Sequence, residues 1–406
     1  MPAPSATDQV KPLDALVIGG SMAGLCAGLV LRDVGCAVEI FEKSSREMQA
    51  RGAGLVVQDD VLDFVTRHCG AVADQLGVRS YARQLLARDG SVMWTQASPQ
   101  LMTSWDSLYR CLKNAFPEEH YHHGTRLAGI RQDADRVYAG LEGGGEQACD
   151  LLVCADGANS TARRLLLPDI NAVYAGYVAW RGMVKEGDVD GWVRDFLAEK
   201  FTFFLDQGIQ ILCYFVPGPA GETVTGQRRI NWVWYWNVAE GEELRATLTD
   251  RTGLFHDYSV PQGAIEPALL KRQREVAARV LPEILQHLFD ATPDPFIQPI
   301  YDLSVPKMVF DRVCLLGDAA FVPRPHPAAS THKAFSNAIT LGHSLRAHSR
   351  DVVAALREWE PAQMELGERL ARLGQEVGNR SQFGNVKGPG VLEAVARGMG
   401  PRSSPP

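Results

Sequence analysis

Several things are missing from this 406-residue chain, and each absence narrows what it does. There is no basic block or stripe: 41 Lys and Arg face 48 Asp and Glu, and the formal net charge is −7. A chain without a basic footprint is not expected to take nucleic acid as a partner. The eight cysteines (Cys26, Cys36, Cys69, Cys111, Cys149, Cys154, Cys213 and Cys314) include no C-x-x-C pair. They read as reduced core thiols of a cytoplasmic protein, not as a disulfide framework or a zinc site, and no metal is expected. No run of about 18 apolar residues exists to span a bilayer. Met1–Pro12 carry no apolar leader segment. Internal repeats are absent too. What remains is ordinary for a globular protein: 46% hydrophobic and 22% charged residues, with length for two or three domains.

The most informative segment lies near the start. Ala15-Leu-Val-Ile18 read as a buried strand, Gly19-Gly-Ser-Met-Ala-Gly24 as a glycine turn, and Leu25 to Val34 as a helix. That context is what a dinucleotide fingerprint requires. Gly19 permits a tight turn, Ser21 replaces the middle glycine but is small, and Gly24 lets helix approach strand. Gly20, Ser21, Met22 and Ala23 would lie at the helix N-terminus, where free N–H groups favour a pyrophosphate. A second strand, Ala37 to Phe41, ends at Glu42, 18 residues past Gly24. An acid at about that spacing hydrogen-bonds a ribose hydroxyl, and Lys43 follows it. An adenine dinucleotide is the expected ligand.

Further along, residues 59–70 read as a helix, 76–98 as short strands or loop, and Ser107 to Phe116 as a helix with Leu108 and Leu112 on one face. Val137–Leu141, Gly143-Gly-Gly145 and Asp150–Cys154 read as a hairpin feeding a strand. His120-Tyr-His-His123 lacks partner Cys or Asp residues and reads as an exposed loop, not a metal site. Five of the eight tryptophans (180, 192, 232, 234 and 236) fall within residues 172–300. Trp232, Trp234 and Trp236 alternate and share one face of a strand; they read either as sheet-packing core or, for Trp234, as part of a flat aromatic pocket. That region is expected to be an antiparallel sheet with a helix around 264–290. Val309–Leu316 is a further strand ending at Gly317-Asp318, the proline-rich Phe321–Pro327 is irregular, and Ala328–Leu345 reads as a helix. Residues 349–378 read as amphipathic helix broken by Pro361, and a loose tail follows from about 384.

Three segments now stand in order: Gly19–Gly24, Asp156-Gly157-Ala-Asn-Ser160-Thr-Ala-Arg163 and Gly317-Asp318. The middle one is a full match to D-G-x-x-S-x-x-R, and the set resembles the flavin-dependent aromatic hydroxylases with a single FAD-binding domain, the para-hydroxybenzoate hydroxylase group. Gly54-Leu-Val-Val-Gln58, Tyr174–Gly182, Trp234–Gly241 and Arg324-Pro-His326 point, within that group, to hydroxypyridine hydroxylases. The resemblance implies an α/β (α+β) fold. A discontinuous Rossmann-like FAD-binding domain (1–75, 100–171 and 301–345) joins a substrate-binding β-sheet domain (76–99 and 172–300), a C-terminal helical region (346–383) and a flexible tail (384–406). It also implies FAD, with NADH or NADPH and O2 as co-substrates, and a cytoplasmic enzyme.

By the same resemblance Arg51 and Gln58 lie near the flavin, Leu127 near adenine and Asp156 at the cofactor, while Asp318 accepts from a ribityl hydroxyl. Ser330, Thr331 and His332 begin the helix whose N–H groups face the flavin pyrimidine. This start departs from the family. Ser330 stands where glycine is usual, His332 where a small residue is, and Asn337 where aspartate is common. His332 is either a catalytic addition or a satisfied helix histidine. The implied reaction reduces FAD with NAD(P)H, forms a flavin C4a-hydroperoxide and transfers one oxygen to an electron-rich ring, a hydroxypyridine or a phenol. A base near the working pH would assist. Tyr214, on a strand bordering the substrate, and His326, whose imidazole titrates in the useful range, are the candidates. Arg181 would hold an anionic ring, with Trp234 and Pro325 also at the substrate. Oxidative ring cleavage, dearomatisation or dehydrogenation on the same scaffold, and a non-catalytic FAD-binding module, are the alternatives. The C-terminal helices could pack in a homodimer.

Overall fold

A computed structural model describes residues 12–45 and 53–384; Arg51 and the tail beyond 384 lie outside the described residues. Two large sheets organise the chain. The first runs, edge to edge, Val309–Phe310, Val313–Leu315, Leu151–Cys154, Asp14–Ile18, Ala37–Glu42 and Tyr121–His123. All neighbours are parallel except the first pair. Its central strands are continuous apolar runs because both faces are covered: every residue of Leu151–Cys154 is buried. The helix Met22–Asp33 crosses from Asp14–Ile18 to Ala37–Glu42 and buries Leu25, Leu29 and Leu31 against them.

The second sheet has nine strands in the order Phe321–Val322, Phe296–Ser304, Val173–Lys185, Arg229–Asn237, Ile209–Val216, Lys200–Asp206, Val78–Leu86, Val92–Ser104 and Gly54–Val57. The region expected as short strands or loop at 76–98 is therefore a long hairpin. The edge strand Gly54–Val57 also joins this sheet, although its neighbours in sequence belong with the first. A small three-stranded sheet, Leu127–Gln132, Val137–Leu141 and Gly145–Cys149, includes the expected glycine hairpin.

Four other expectations are corrected. The helix near 264–290 is two helices, Pro267–Val280 and Glu283–Asp290, because Pro282 interrupts the run. The helix after the proline loop is Ser330–Ala347, with Ala328 held at φ 52° and outside it. Pro361 does not break the last helix, which is continuous over Val352–Gln382. Pro361 and Arg357, whose carbonyl loses its i+4 donor, are both exposed, so water can satisfy that oxygen; Leu356, Trp359, Leu366 and Leu370 bury the opposite stripe. Finally, His120–His123 is no exposed loop. Tyr121–His123 is an edge strand, Tyr121 is buried, and His120 and His122 both meet the Glu39 carboxylate at 2.8 and 2.7 Å. Among the described residues no cluster of His, Cys, Asp and Glu could hold a metal ion, and all eight cysteines are free thiols.

Candidate active site

The three motif segments, distant in sequence, meet at the carboxyl ends of the parallel strands, where ligands of such sheets sit. Gly19 takes φ 99°, and a Cβ there would lie 2.4 Å from the Ala155 carbonyl oxygen, beside Asp156. Gly24 is needed for approach: its Cβ would sit 1.8 Å from the Gly19 oxygen. Gly20 is constrained by Tyr121, whose hydroxyl donates to the Gly20 carbonyl at 2.8 Å and occupies the space of a side chain. The third segment closes the set. A Cβ on Gly317 would be 3.1 Å from that of Ala23. Arg163, the last residue of the middle motif, donates to the Ala319 carbonyl at 3.0 Å and to that of Ala158 at 2.6 Å. One buried guanidinium thus ties the second motif to the third.

The first two segments, with residues 125–127, wall a cleft whose lining includes Gly19, Ser21, Glu42, Lys43, Leu127 and Asp156. Glu42 is buried; its carboxylate accepts from the N–H groups of Gly20 and Ser44, both at 2.8 Å. Ser21 makes no side-chain cap, so the N–H groups of Met22, Ala23 and Gly24 at the helix start have no carbonyl one turn back. The Asp156 carboxylate is spent on local structure: it accepts from Ser160 Oγ and from the N–H groups of Thr161 (2.7 Å) and Ala162 (3.1 Å). At the far end, Asp318 Oδ1 accepts from Ser330 Oγ and Lys333 Nζ, each at 2.8 Å. Thr331 is buried in the first turn of the same helix. Unpaired helix N–H groups and a cleft beside them, brought together by glycines that let strand, turn and helix pack closely, fit an adenine dinucleotide.

The second part of the site is one face of the nine-stranded sheet. Directly paired residues share a face. Tyr214 pairs with Asn231, Leu212 with Val233, Arg181 with Val233, and Ala179 with Tyr235. This face therefore carries Arg181, Leu212, Tyr214, Asn231, Val233 and Tyr235. Gly54 lies against it: its N–H donates to Asn231 Oδ1 at 2.8 Å, and a Cβ on it would be 2.6 Å from the Tyr214 ring. His326 lies over the same face, with Nε2 2.8 Å from Tyr177 Oη and its ring 4.5 Å from that of Tyr235. Its loop is anchored by Arg324, which is paired with Asp302 at 2.7 Å and with Asn379 of the last helix, also at 2.7 Å. Pro325 accepts a turn hydrogen bond from Ala328 N at 2.9 Å. Gln58 donates to the Ala328 carbonyl at 2.8 Å, while its Oε1 is buried without a partner.

The electrostatics of this face are distinctive. Arg181 is half-buried, its Nε is enclosed without a hydrogen bond, and no carboxylate pairs with it among the described residues. His326 Nδ1 and Asn231 Nδ2 are likewise buried and unpartnered. Burial, then the guanidiniums of Arg324 and Arg181, push the His326 pKa down to about 3. The expectation that His326 titrates near neutrality is therefore corrected: the imidazole is held neutral. Burial pushes the Tyr214 hydroxyl well up despite Arg181, and that of Tyr235 up to about 12. Both are neutral hydrogen-bonding groups here.

Two expected residues lie elsewhere. Trp234 is on the opposite face, fully buried with its ring 5.7 Å from that of Phe289, because strand alternation sends it away from Val233 and Tyr235. His332 is turned onto Asp60 of the helix Asp59–Cys69 at 2.7 Å. Conversely, Asn231, Tyr177, Tyr235 and Lys333 were not singled out from the sequence. For Asn231, an amide within the apolar run Ile230–Tyr235 was the available signal.

Comparison with known proteins agrees with this geometry. A family profile described as FAD binding domain-like matches residues 174–302. The chain is 33% identical to 2,6-dihydroxypyridine 3-monooxygenase of Paenarthrobacter nicotinovorans over 92% of its length and 93% of that protein. It is 26% identical to 3-amino-4-hydroxybenzoate 2-monooxygenase of Streptomyces cremeus, over 89% and 86% of the two chains. The solved structure of 2,6-dihydroxypyridine-3-hydroxylase from Arthrobacter nicotinovorans superposes with a TM-score of 0.87 at 32% identity, covering 94% of this chain and 95% of that one. Three converging motifs, the two-sheet fold and a relative spanning nearly the whole chain lead to one conclusion: this protein belongs to the FAD-dependent aromatic monooxygenases.

Proposed function

We propose that the protein hydroxylates a small, electron-rich aromatic ring bound as its anion, a hydroxypyridine or a phenol, at the expense of O2 and of NADH or NADPH. The observation that carries this reading is Arg181: a half-buried guanidinium with no carboxylate partner among the described residues, flanked by aromatic side chains. A desolvated cation without a counter-charge is costly, and an anionic ligand would relieve it. Val233 and Leu212, paired across the strands, offer an apolar floor for a ring beside that charge. The substrates of the two relatives, hydroxylated or aminated rings, support the class.

FAD, when bound, supplies the electron store and the activation of O2. In our reading its phosphates meet Gly19, Gly20, Ser21, Met22, Ala23 and Gly24. Glu42, Lys43, Leu127 and Asp156 line the adenosine end, through backbone in the case of Asp156. Gln58, Asp318, Ser330, Thr331 and His332 lie toward the other end, and Arg51 keeps its expected role there. Arg181 fixes the substrate anion. Tyr214 and Tyr235, both kept protonated, donate to ring oxygens, and His326 offers Nδ1. Since Arg181 is one of the two cations that depress His326, an anion on Arg181 would raise its proton affinity on binding. The Tyr177 hydroxyl, 2.8 Å from Nε2, would stabilise either charge state. The loop carrying Pro325 and His326 closes over the sheet face and excludes water.

The domain division 1–75, 100–171 and 301–345 against 76–99 and 172–300, with helices over 346–383, is proposed on the same basis. We also propose a cytoplasmic protein acting on small molecules, with a second copy of itself as its macromolecular partner and neither nucleic acid nor membrane. No helix among the described residues is long and apolar enough to cross a membrane. The test is a panel of hydroxypyridines and phenols scored for NAD(P)H oxidation coupled to product under labelled O2. Incorporation of one label per turnover is expected. Tyr214→Phe should lower kcat/KM about tenfold, the value of one hydrogen bond to a charged group, with bound flavin unchanged. NAD(P)H oxidation unaffected by every ring tested would refute the proposal.

A further inference from the structure

The start of the helix Ser330–Ala347 packs onto Asp318. Ser330 and Lys333, one turn apart, both direct donors onto the same oxygen, Oδ1 of Asp318, at 2.8 Å. Lys333 is 1% exposed, and its ammonium also donates to the Phe321 carbonyl. Asp318 Oδ2 accepts no hydrogen bond among the described residues, and the Asp318 side chain is 41% exposed. Its neighbour Gly317 abuts Ala23 at the helix start described above. One carboxylate oxygen is thus committed inward and the other is left outward.

We infer that Lys333, assisted by Ser330, is a positioning residue that holds Asp318 with Oδ1 turned inward and leaves Oδ2 as the acceptor for a hydroxyl of bound FAD. The inference rests on the reading of Asp318 as a cofactor contact. Its physical basis is donor arithmetic. A buried ammonium has three donors and no acceptor, and it must be met by oxygen. Ser330 is less demanding, because a hydroxyl can donate or accept.

The arrangement predicts an unusual mutant cycle. In Asp318→Asn the introduced amide must give its oxygen to Lys333, so its NH2 turns outward and an acceptor becomes a donor. With Lys333→Met in the same chain that demand disappears, and the amide can turn its oxygen toward the cofactor. FAD dissociation constants of the apo-proteins, measured by flavin fluorescence quenching, read the cycle without reference to turnover. Asp318→Asn is expected to weaken FAD by about 10- to 100-fold, the range for a hydrogen bond to a charged group. Lys333→Met alone should weaken it by about tenfold, and Ser330→Ala by less. The double variant should bind FAD at least several-fold more tightly than Asp318→Asn alone.

A purely structural lysine gives a different pattern, with the double variant as weak as the two single losses multiplied; that result overturns the inference. So does Lys333→Met with FAD affinity within about twofold of the parent. An Asp318→Asn variant that binds FAD normally overturns the reading of Asp318 itself, and the inference with it. Should Lys333→Met fail to accumulate folded, Lys333→Gln, which keeps a donor for Phe321 and adds an oxygen that an introduced amide at position 318 can meet with its own NH2, relaxes the same demand and completes the cycle.

Discussion

The two faces of the nine-stranded sheet are built by the same strands and serve opposite ends. One face carries Trp180, Trp232 and Trp234, all buried, with ring contacts to Phe289 of the helix Glu283–Asp290 at 6.1, 5.2 and 5.7 Å. The other carries Arg181, Tyr214, Asn231 and Tyr235, covered by the His326 loop and the last helix. Both faces keep buried polar atoms without partners, the indole Nε1 of Trp180 and Trp234 on the first and Arg181 Nε, Asn231 Nδ2 and His326 Nδ1 on the second, but only the second carries a guanidinium that no carboxylate pairs among the described residues. An unsatisfied indole N–H costs far less than a guanidinium enclosed without a counter-charge, so it is the charge, not the count of unsatisfied atoms, that sets the second face apart. The tryptophans, which draw the eye in the sequence, are the scaffold.

That contrast can be broken in several ways. The largest effect is expected from the scaffold face: Trp234→Ala should cost about 3–5 kcal/mol of stability, read by denaturant unfolding. Trp234→Phe should retain the substrate KM within about twofold; a selective rise in KM would return Trp234 to the binding site. On the other face, Arg181→Met should lower kcat/KM for an anionic ring about 100-fold, with flavin content and unfolding midpoint nearly unchanged. If stability falls and kinetics do not, the two faces have been assigned the wrong way round.

His326 sharpens the comparison through pH. Its folded pKa is pushed to about 3, whereas an unfolded imidazole titrates near ~6.5. Between these values the unfolded chain binds a proton that the folded chain does not. This contribution to stability is therefore full above about pH 6.5 and is lost as pH falls toward 3. Thermal midpoints followed from about pH 4 to 7 should decline less steeply toward acid in His326→Asn than in the parent, and parallel slopes would contradict a neutral buried imidazole. The smallest effect is expected at His332→Ala. Its tie to Asp60 is about a third exposed on both sides, worth at most ~1 kcal/mol, and turnover should stay within about twofold. A hundredfold loss there would restore His332 to a catalytic role.

Much of this was legible because its physics is local. The strand, glycine turn and helix at 14–33, the acid at position 42 and the alternation of Trp232, Val233, Trp234 and Tyr235 depend on neighbours a few residues away. Proline was read less well. Pro282 stops a helix and Pro361 does not, although the carbonyls that they orphan, of Ala278 and Arg357, both belong to exposed residues; the long buried stripe of Val352–Gln382 carries that helix across its proline. The His332 and Asn231 side chains were beyond local reading altogether, because their partners Asp60 and Gly54 lie 272 and 177 residues away.

The amino-acid sequence alone determined that a dinucleotide fingerprint opens the chain, that three motif segments belong to one cofactor, and that a tryptophan-rich sheet follows. Backbone geometry and side-chain alternation are written residue by residue. Only the tertiary structure decided which face of that sheet carries Arg181, that His326 is buried and held neutral, and that Lys333 meets Asp318. Burial and charge at a given atom are properties of everything packed around it, and the chain brings those groups together only when it folds.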